Sequence, residues 1–110
     1  MSGWEGQLRK GLVELAVLAS VGRGEIYGYR IVSDLKPLEG LQLTESTVYP
    51  VLARLARDGY LAVRTEESPR GPQRRYYRLT TAGHSRLRTM TESWKSISQS
   101  LKGLLEGAQA

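Results

Sequence analysis

The stretch GPQRRYYRLTTAG, residues 71–83, decides the fold. Its middle part, residues 74–79, alternates: Arg75, Tyr77 and Leu79 fall on one face and Arg74, Tyr76 and Arg78 on the other. That is the two-residue period of a strand with an inner and an outer surface. Just upstream, residues 60–65 alternate as well, with Leu61 and Val63 on one side, and the intervening EESPRGPQ is rich in turn-forming residues. The two runs predict a β-ribbon with a basic, mobile tip. A two-stranded sheet is marginal alone, so this one must rest on helices.

The chain supplies helices on both sides. A first helix over residues 7–20 carries Leu8, Leu12, Leu15, Leu18 and Ala19 with Val13 and Val17 beside them, apolar around most of its circumference, which predicts a buried helix. Gly22 and Gly24 end it. A second helix over residues 27–38 has an inner stripe of Gly28, Ile31, Val32 and Leu35, closed by Pro37 and Gly40. The third starts after Leu43, with Thr44 as N-cap and Glu45 at the positive end of the helix dipole, and stops at Gly59. Val48, Val51, Leu52 and Leu55 are its buried stripe. Pro50 removes the bond to the Ser46 carbonyl, so a bend or a loosened first turn is expected there.

With that stripe inward, Ser46, Thr47, Tyr49, Pro50, Ala53, Arg54 and Arg57 share the outward arc of the third helix. Small hydroxyls at a helix N-terminus can approach phosphates and base edges, and arginines farther along can reach guanine or backbone. Alone, this arc also reads as an ordinary solvated face. Charge weights the choice: between residues 54 and 78 stand seven arginines against Asp58, Glu66 and Glu67, which places +4 of the chain's net +5 on this one unit. Arginine in such excess suits planar, multi-donor contacts to phosphate.

Thr80 or Thr81 caps a last helix, in which Leu87, Met90, Trp94, Ile97, Leu101 and Leu104 follow one another at spacings of 3, 4, 3, 4 and 3. This is the two-position heptad seam of a coiled coil. A helix of about 25 residues is on the order of 37 Å long, too long for a small three-helix core to cover its seam. The seam therefore predicts a homodimer through this helix, helped by the first helix and Trp4. The divisions that follow are residues 1–79 for a DNA-binding unit, residues 80–106 for a dimerisation helix, and residues 107–110 as a disordered tail.

At 110 residues, 40% of them apolar, the chain makes one domain with a modest core. It has no cysteine for a disulfide, and a single histidine, His84, cannot assemble an ordinary zinc site. No cofactor is expected. The N-terminus lacks the apolar run of a signal peptide, and the longest apolar stretch, residues 12–21, is interrupted by Glu14 and too short to span a bilayer, so a cytoplasmic protein without membrane contact is expected.

The order helix, helix–turn–helix, β-ribbon, long helix describes a winged helix-turn-helix with a dimerisation arm: mainly α, with a small β-ribbon. On Gly28-Tyr29, Thr47-Val48-Tyr49-Pro50 with Leu52, Arg54 and Leu55, Gly59, Gly71-Pro72, the run from Arg74 to Thr80, and Gly83, the chain resembles the PadR family of bacterial transcriptional regulators, in its small form with a single C-terminal helix. The family commonly has histidine before the Gly-Tyr pair; here it is Tyr27, at a position expected to face the core or the turn. The resemblance implies a dimeric repressor on a pseudo-palindromic double-stranded DNA operator, released by a small molecule. By position it implies that Thr47 and Tyr49 contact phosphate or base edges, with Ser46 beside them. Arg54 then reaches DNA or pairs internally, and Arg74 and Arg75 act from the wing. Tyr77 and Leu79 are expected beneath the wing. Multidrug-binding relatives resemble the chain at Glu92-Ser93-Trp94 and use a tryptophan for stacking, so Trp94 either lines a slot for a planar aromatic effector or fills the dimer core.

Rival classes are weaker. No pair of titratable groups is arranged for acid–base chemistry, and His84 has no evident partner, so an enzyme is not expected. A winged helix can serve purely as a protein-interaction module, but that use calls for apolar residues where Ser46, Thr47 and Arg57 stand. A reader of single-stranded RNA would display more sheet aromatics than this ribbon has to spare.

Overall fold

The protein is described from a computed structural model over residues 3–109. Four helices and a three-stranded antiparallel sheet follow in the order α1 (Gly3–Val21), β1 (Ile26–Tyr27), α2 (Gly28–Leu35), α3 (Glu45–Arg57), β2 (Leu61–Ser68), β3 (Gly71–Leu79) and α4 (Thr81–Gln109), with a single 3-10 turn at Glu39–Leu41 before α3. The sheet order is β1-β3-β2. Strands β2 and β3 form the wing, in the register Leu61 opposite Leu79, Val63 opposite Tyr77 and Thr65 opposite Arg75, with an irregularity between Glu66 and Ser68.

Two features of the sheet depart from expectation. The turn-rich EESPRGPQ is mostly strand: pairing continues to Ser68 opposite Gly71, so the wing is a longer arm than its composition suggests. Backbone pairing along a partner strand overrides the turn propensities of single residues. Tyr27, expected to start the second helix and to face the core or the turn, is half-buried and ends β1 as the N-cap of α2; there Ile26 pairs with Tyr77 and Tyr27 with Tyr76. Two residues are too few for alternation to register as a strand.

One core seats all the elements. Val17, Leu18 and Val21 of α1, Ile31, Val32 and Leu35 of α2, Leu43, Val48, Leu52 and Leu55 of the third-helix unit, and Leu61, Tyr77 and Leu79 of the wing base make a single buried cluster. The inner stripes of α2 and α3 and the placement of Tyr77 and Leu79 follow the sequence reading, with Val51 half-buried at the margin. Helix α3 runs through Pro50 without interruption. It ends with Gly59 at φ 85°, where the Tyr60 N–H bonds the Leu55 carbonyl at 2.9 Å and the Gly59 N–H bonds that of Ala56 at 3.2 Å. This double closure needs the left-handed conformation glycine allows.

The next junction is equally specific. Thr80 caps α4 by accepting from the Gly83 N–H at 3.0 Å, and its hydroxyl donates to the Gly59 carbonyl at 2.7 Å, tying the start of α4 to the end of α3. At Gly83 a β-carbon would overlap the Tyr60 carbonyl, so only glycine fits.

Helix α4 is 29 residues, about 43 Å at 1.5 Å per residue, and it draws the molecule out to 60 × 33 × 20 Å. Its seam divides. Leu87 and Met90 pack against the chain's own core, whereas Trp94, Ile97, Leu101 and Leu104 are exposed, Trp94 at 46% and Leu104 at 69%. The apolar circumference of α1 predicts burial along its length, but Trp4 and Leu8 are exposed too. The expected disordered tail is corrected in part: Gly107 to Gln109 continue α4, and Ala110 lies outside the described residues. Among the described residues no helix is long and apolar enough to cross a membrane.

Candidate nucleic-acid interface

Helix α3 presents its outward arc through a short hydroxyl cluster. Thr44 holds the N-cap position with extended backbone but makes no side-chain cap; its Oγ1 instead lies 3.0 Å from Ser46 Oγ and 3.4 Å from Thr47 Oγ1. Three hydroxyls thus gather at the positive end of the helix dipole, a setting suited to a phosphate. One turn on, the Tyr49 ring lies over Gly28, where a β-carbon would come within 3.1 Å of Tyr49 Cε1 and 3.5 Å of Tyr77 Cε1. Glycine at the start of α2 therefore lets the two tyrosines close together. Burial, with the negative charge of Glu45 second, pushes the Tyr49 hydroxyl above its ordinary pKa, keeping it a neutral donor at physiological pH.

The wing completes the surface. Tyr49 and Ala53 of α3, Tyr29 of α2 and Arg70, Arg74 and Arg75 of the wing line one open groove of about 760 Å³. Tyr49, Arg74 and Arg75, singled out from sequence, are thereby brought together. Ser46 and Thr47 stand outside the groove, at the N-terminal end of the same helix. Arg54 turns the other way: its guanidinium bonds Glu14 Oε1 at 3.0 Å and lies 3.8 Å from Asp58. Of the two alternatives the sequence left for Arg54, the structure takes internal pairing.

Charge is sorted in the same manner. Arg64 is pinned by Glu25, at 2.7 and 3.2 Å, and by Glu66 at 2.7 Å, which pushes its pKa well up and spends its charge within the fold. Arg57 lies 3.9 Å from Asp58. Arg70, Arg74, Arg75 and Arg78 make no ion pair among the described residues. Four arginines without carboxylate partners thus stand close together on the wing. Arg74 is held in place by a ring, its guanidinium carbon 5.1 Å from the Tyr27 centroid.

A model of the transcriptional regulator PadR-like family matches residues 17–89, from the middle of α1 into α4. The chain belongs to the PadR-like family of transcriptional regulators. A transcriptional regulator of Mycobacterium tuberculosis is 30% identical over 92% of this chain and 90% of its own length. A PadR family transcriptional regulator from Eggerthella lenta superposes with a TM-score of 0.78 at 32% identity, over 91% of this chain and 87% of that one. The Bacillus subtilis PadR, solved in complex with operator DNA, matches with a TM-score of 0.66 at 28% identity, over 73% of this chain and 47% of the larger neighbour.

Sequence reasoning missed two residues of the groove and one that supports α3 from behind. Tyr29, 62% exposed, and Arg70 line the groove; an aromatic opening a helix and an arginine in a turn signal nothing alone. Glu14 reads in the sequence only as an interruption of an apolar run. It is nearly buried, and each carboxylate oxygen serves a different helix: Oε1 accepts from Arg54 of α3 at 3.0 Å and Oε2 from Arg86 of α4 at 2.7 Å. A lone charge on the inner face of an otherwise apolar helix was the signal that could have found it.

Proposed function

We propose that the chain is a homodimeric, sequence-specific DNA-binding regulator, a repressor that acts on a pseudo-palindromic operator and releases it on binding a small molecule. The observation that carries this reading is the common groove of Tyr49, Arg74 and Arg75, fringed by wing arginines without carboxylate partners. In operation, α3 enters the major groove by its N-terminal end, led by Ser46, Thr47 and Tyr49. The wing lies along the neighbouring backbone, where Arg74 and Arg75 supply sequence-independent affinity. Arg54 supports α3 from behind through Glu14.

Dimerisation is supported by the bare part of the α4 seam. Trp94, Ile97, Leu101 and Leu104 stand exposed at heptad spacing, a stripe that a second copy of the helix would cover. Two such helices side by side would put the half-exposed Trp94 near its twin and leave a flat slot for a planar aromatic effector. Effector binding then shifts the separation of the two reading heads, provided it favours one separation over the other.

Selection from a random double-stranded DNA library, followed by a salt titration on the enriched sequence, tests the proposal. An inverted repeat is the expected result. Salt-sensitive binding without sequence preference, or none at all, would move the chain to the protein-interaction use of the winged helix.

A further inference from the structure

A second opening, of about 610 Å³, lies between α1, α2 and the sheet. Its wall is aliphatic, made by Ala16 and Ala19 of α1, Ile26 of β1, Leu35 at the end of α2, and Leu38 beyond it. Four charged side chains stand at the rim, and three are already neutralised. Glu25 is held by Arg64 through two hydrogen bonds, and Arg30 bonds Asp34 at 3.0 Å. The fourth, Arg23, makes no ion pair among the described residues and leaves the rim one positive charge in excess.

The aromatic residues at this opening already hold ring contacts. Tyr76 carries Arg64 over its ring at 4.6 Å, and Tyr27 has Arg74 at 5.1 Å and the Tyr29 ring stacked at 6.5 Å. Ring faces so occupied leave edges and aliphatic wall for a ligand. An anion with a flexible apolar body fits these surroundings, and a flat aromatic does not.

We propose that this pocket binds a small aliphatic carboxylate, its charge on Arg23 and its chain along Ala16, Ile26 and Leu38. Tyr27 lines this pocket and the groove alike and is the seat of Arg74. Occupancy that moves the Tyr27 ring therefore moves a wing arginine, and the carboxylate changes DNA affinity. This coupling rests on the DNA-binding function proposed above; the binding site itself does not.

Octanoate is the probe, with 1-octanol as its uncharged counterpart, titrated by calorimetry into the whole protein without DNA. Octanoate should bind, octanol should bind at least tenfold more weakly, and both Arg23→Gln and Leu38→Asp should weaken octanoate tenfold or more. Both positions are exposed, so the fold should tolerate the changes. No binding at millimolar octanoate, or binding that neither substitution alters, overturns the site and assigns any uptake to the bare face of α4. In a second arm, octanoate should shift DNA affinity of the unaltered protein and leave that of Arg23→Gln unchanged. Calorimetric binding with DNA affinity unmoved overturns the coupling. A protein without DNA affinity overturns the DNA-binding function and the coupling together, while calorimetry still decides the pocket.

Discussion

Replacing Glu14 with glutamine should uncouple three helices while leaving the shape of α1 intact. Glu14 is 8% exposed, and its carboxylate accepts two charge-assisted hydrogen bonds, from Arg54 at 3.0 Å and Arg86 at 2.7 Å. Hydrogen bonds to charged groups contribute about 1.5–3 kcal/mol each when enclosed, but both arginine side chains are 41% exposed and water screens them. Discounting for that, the loss should be about 2 kcal/mol at neutral pH, roughly 8 °C in melting temperature for a domain of this size. The pH dependence separates this account from mere loss of packing. Burial raises the Glu14 pKa, but the hydrogen bonds and charges of Arg86 and Arg54 outweigh it and hold the carboxyl below its ordinary 4.5. A folded-state pKa below the unfolded one means stability that is fully present above about pH 4.5 and lost as pH falls through the depressed value. Urea unfolding of both proteins, from neutral pH down to the most acidic buffer in which both still unfold cooperatively, should show their difference shrinking in acid. A difference under about 0.5 kcal/mol at neutral pH, or one that does not change with pH, would refute the assignment of a stabilising charge cluster to Glu14.

Other perturbations reach other parts of the molecule. Arg74→Ala should weaken DNA binding evenly across sequences and lower the salt slope by about one unit; unaltered affinity at low salt would remove the wing from the interface. Leu101→Glu puts a charge in the bare seam and should yield monomers in sedimentation, and a variant that still sediments as a dimer would locate the interface elsewhere. Trp94→Ala should abolish binding of planar aromatic dyes, read by fluorescence, and leave operator affinity largely intact; retained dye affinity would put that slot off the seam. Gly83→Ala forces a β-carbon into the Tyr60 carbonyl and should cost about 2 kcal/mol or more in urea unfolding; a neutral outcome would mean that the junction of α3 and α4 yields freely.

Legibility in the sequence followed the range of the forces involved. The stripes of α2 and α3, the stop at Gly59 and the faces of residues 74–79 were readable because each depends on neighbours a few positions away. The pairing of β1 with β3 was not, since Ile26 and Tyr77 meet only after the chain has returned on itself. The wing tip misled for a related reason: Ser68, Pro69 and Gly71 have turn propensity, but the strands they join stay paired to Ser68 and Gly71, across a one-residue shift of register. At the candidate site, Tyr49, Arg74 and Arg75 could be named from position in an element. Whether an arginine is free or spent could not, because its partner is remote: Glu14 is 40 residues from Arg54, and Glu25 is 39 from Arg64.

That sorting of arginines gives the architecture its logic. Helix α1 packs on α2, α3, α4 and β3, so every moving part that a DNA-binding regulator would need is seated on one element. The two arginines that bond Glu14 bind the rear of α3 to the base of α4, and Thr80 adds a second link by joining the Gly59 carbonyl to the first turn of α4. Displacing α4, as the proposed partner copy or effector would, therefore would strain contacts that lead directly to α3. The wing has a separate seat. Arg74 rests on Tyr27, Tyr27 pairs with Tyr76, and Arg64 ties Tyr76 to Glu25 at the end of the loop after α1. A disturbance at the loop reaches the wing without passing through α4. Two such routes would let one small domain answer to the two kinds of ligand proposed above, one between paired arms and one between α1, α2 and the sheet; Glu14→Gln interrupts the first route, and Arg23→Gln removes the anchor of the ligand proposed to act through the second.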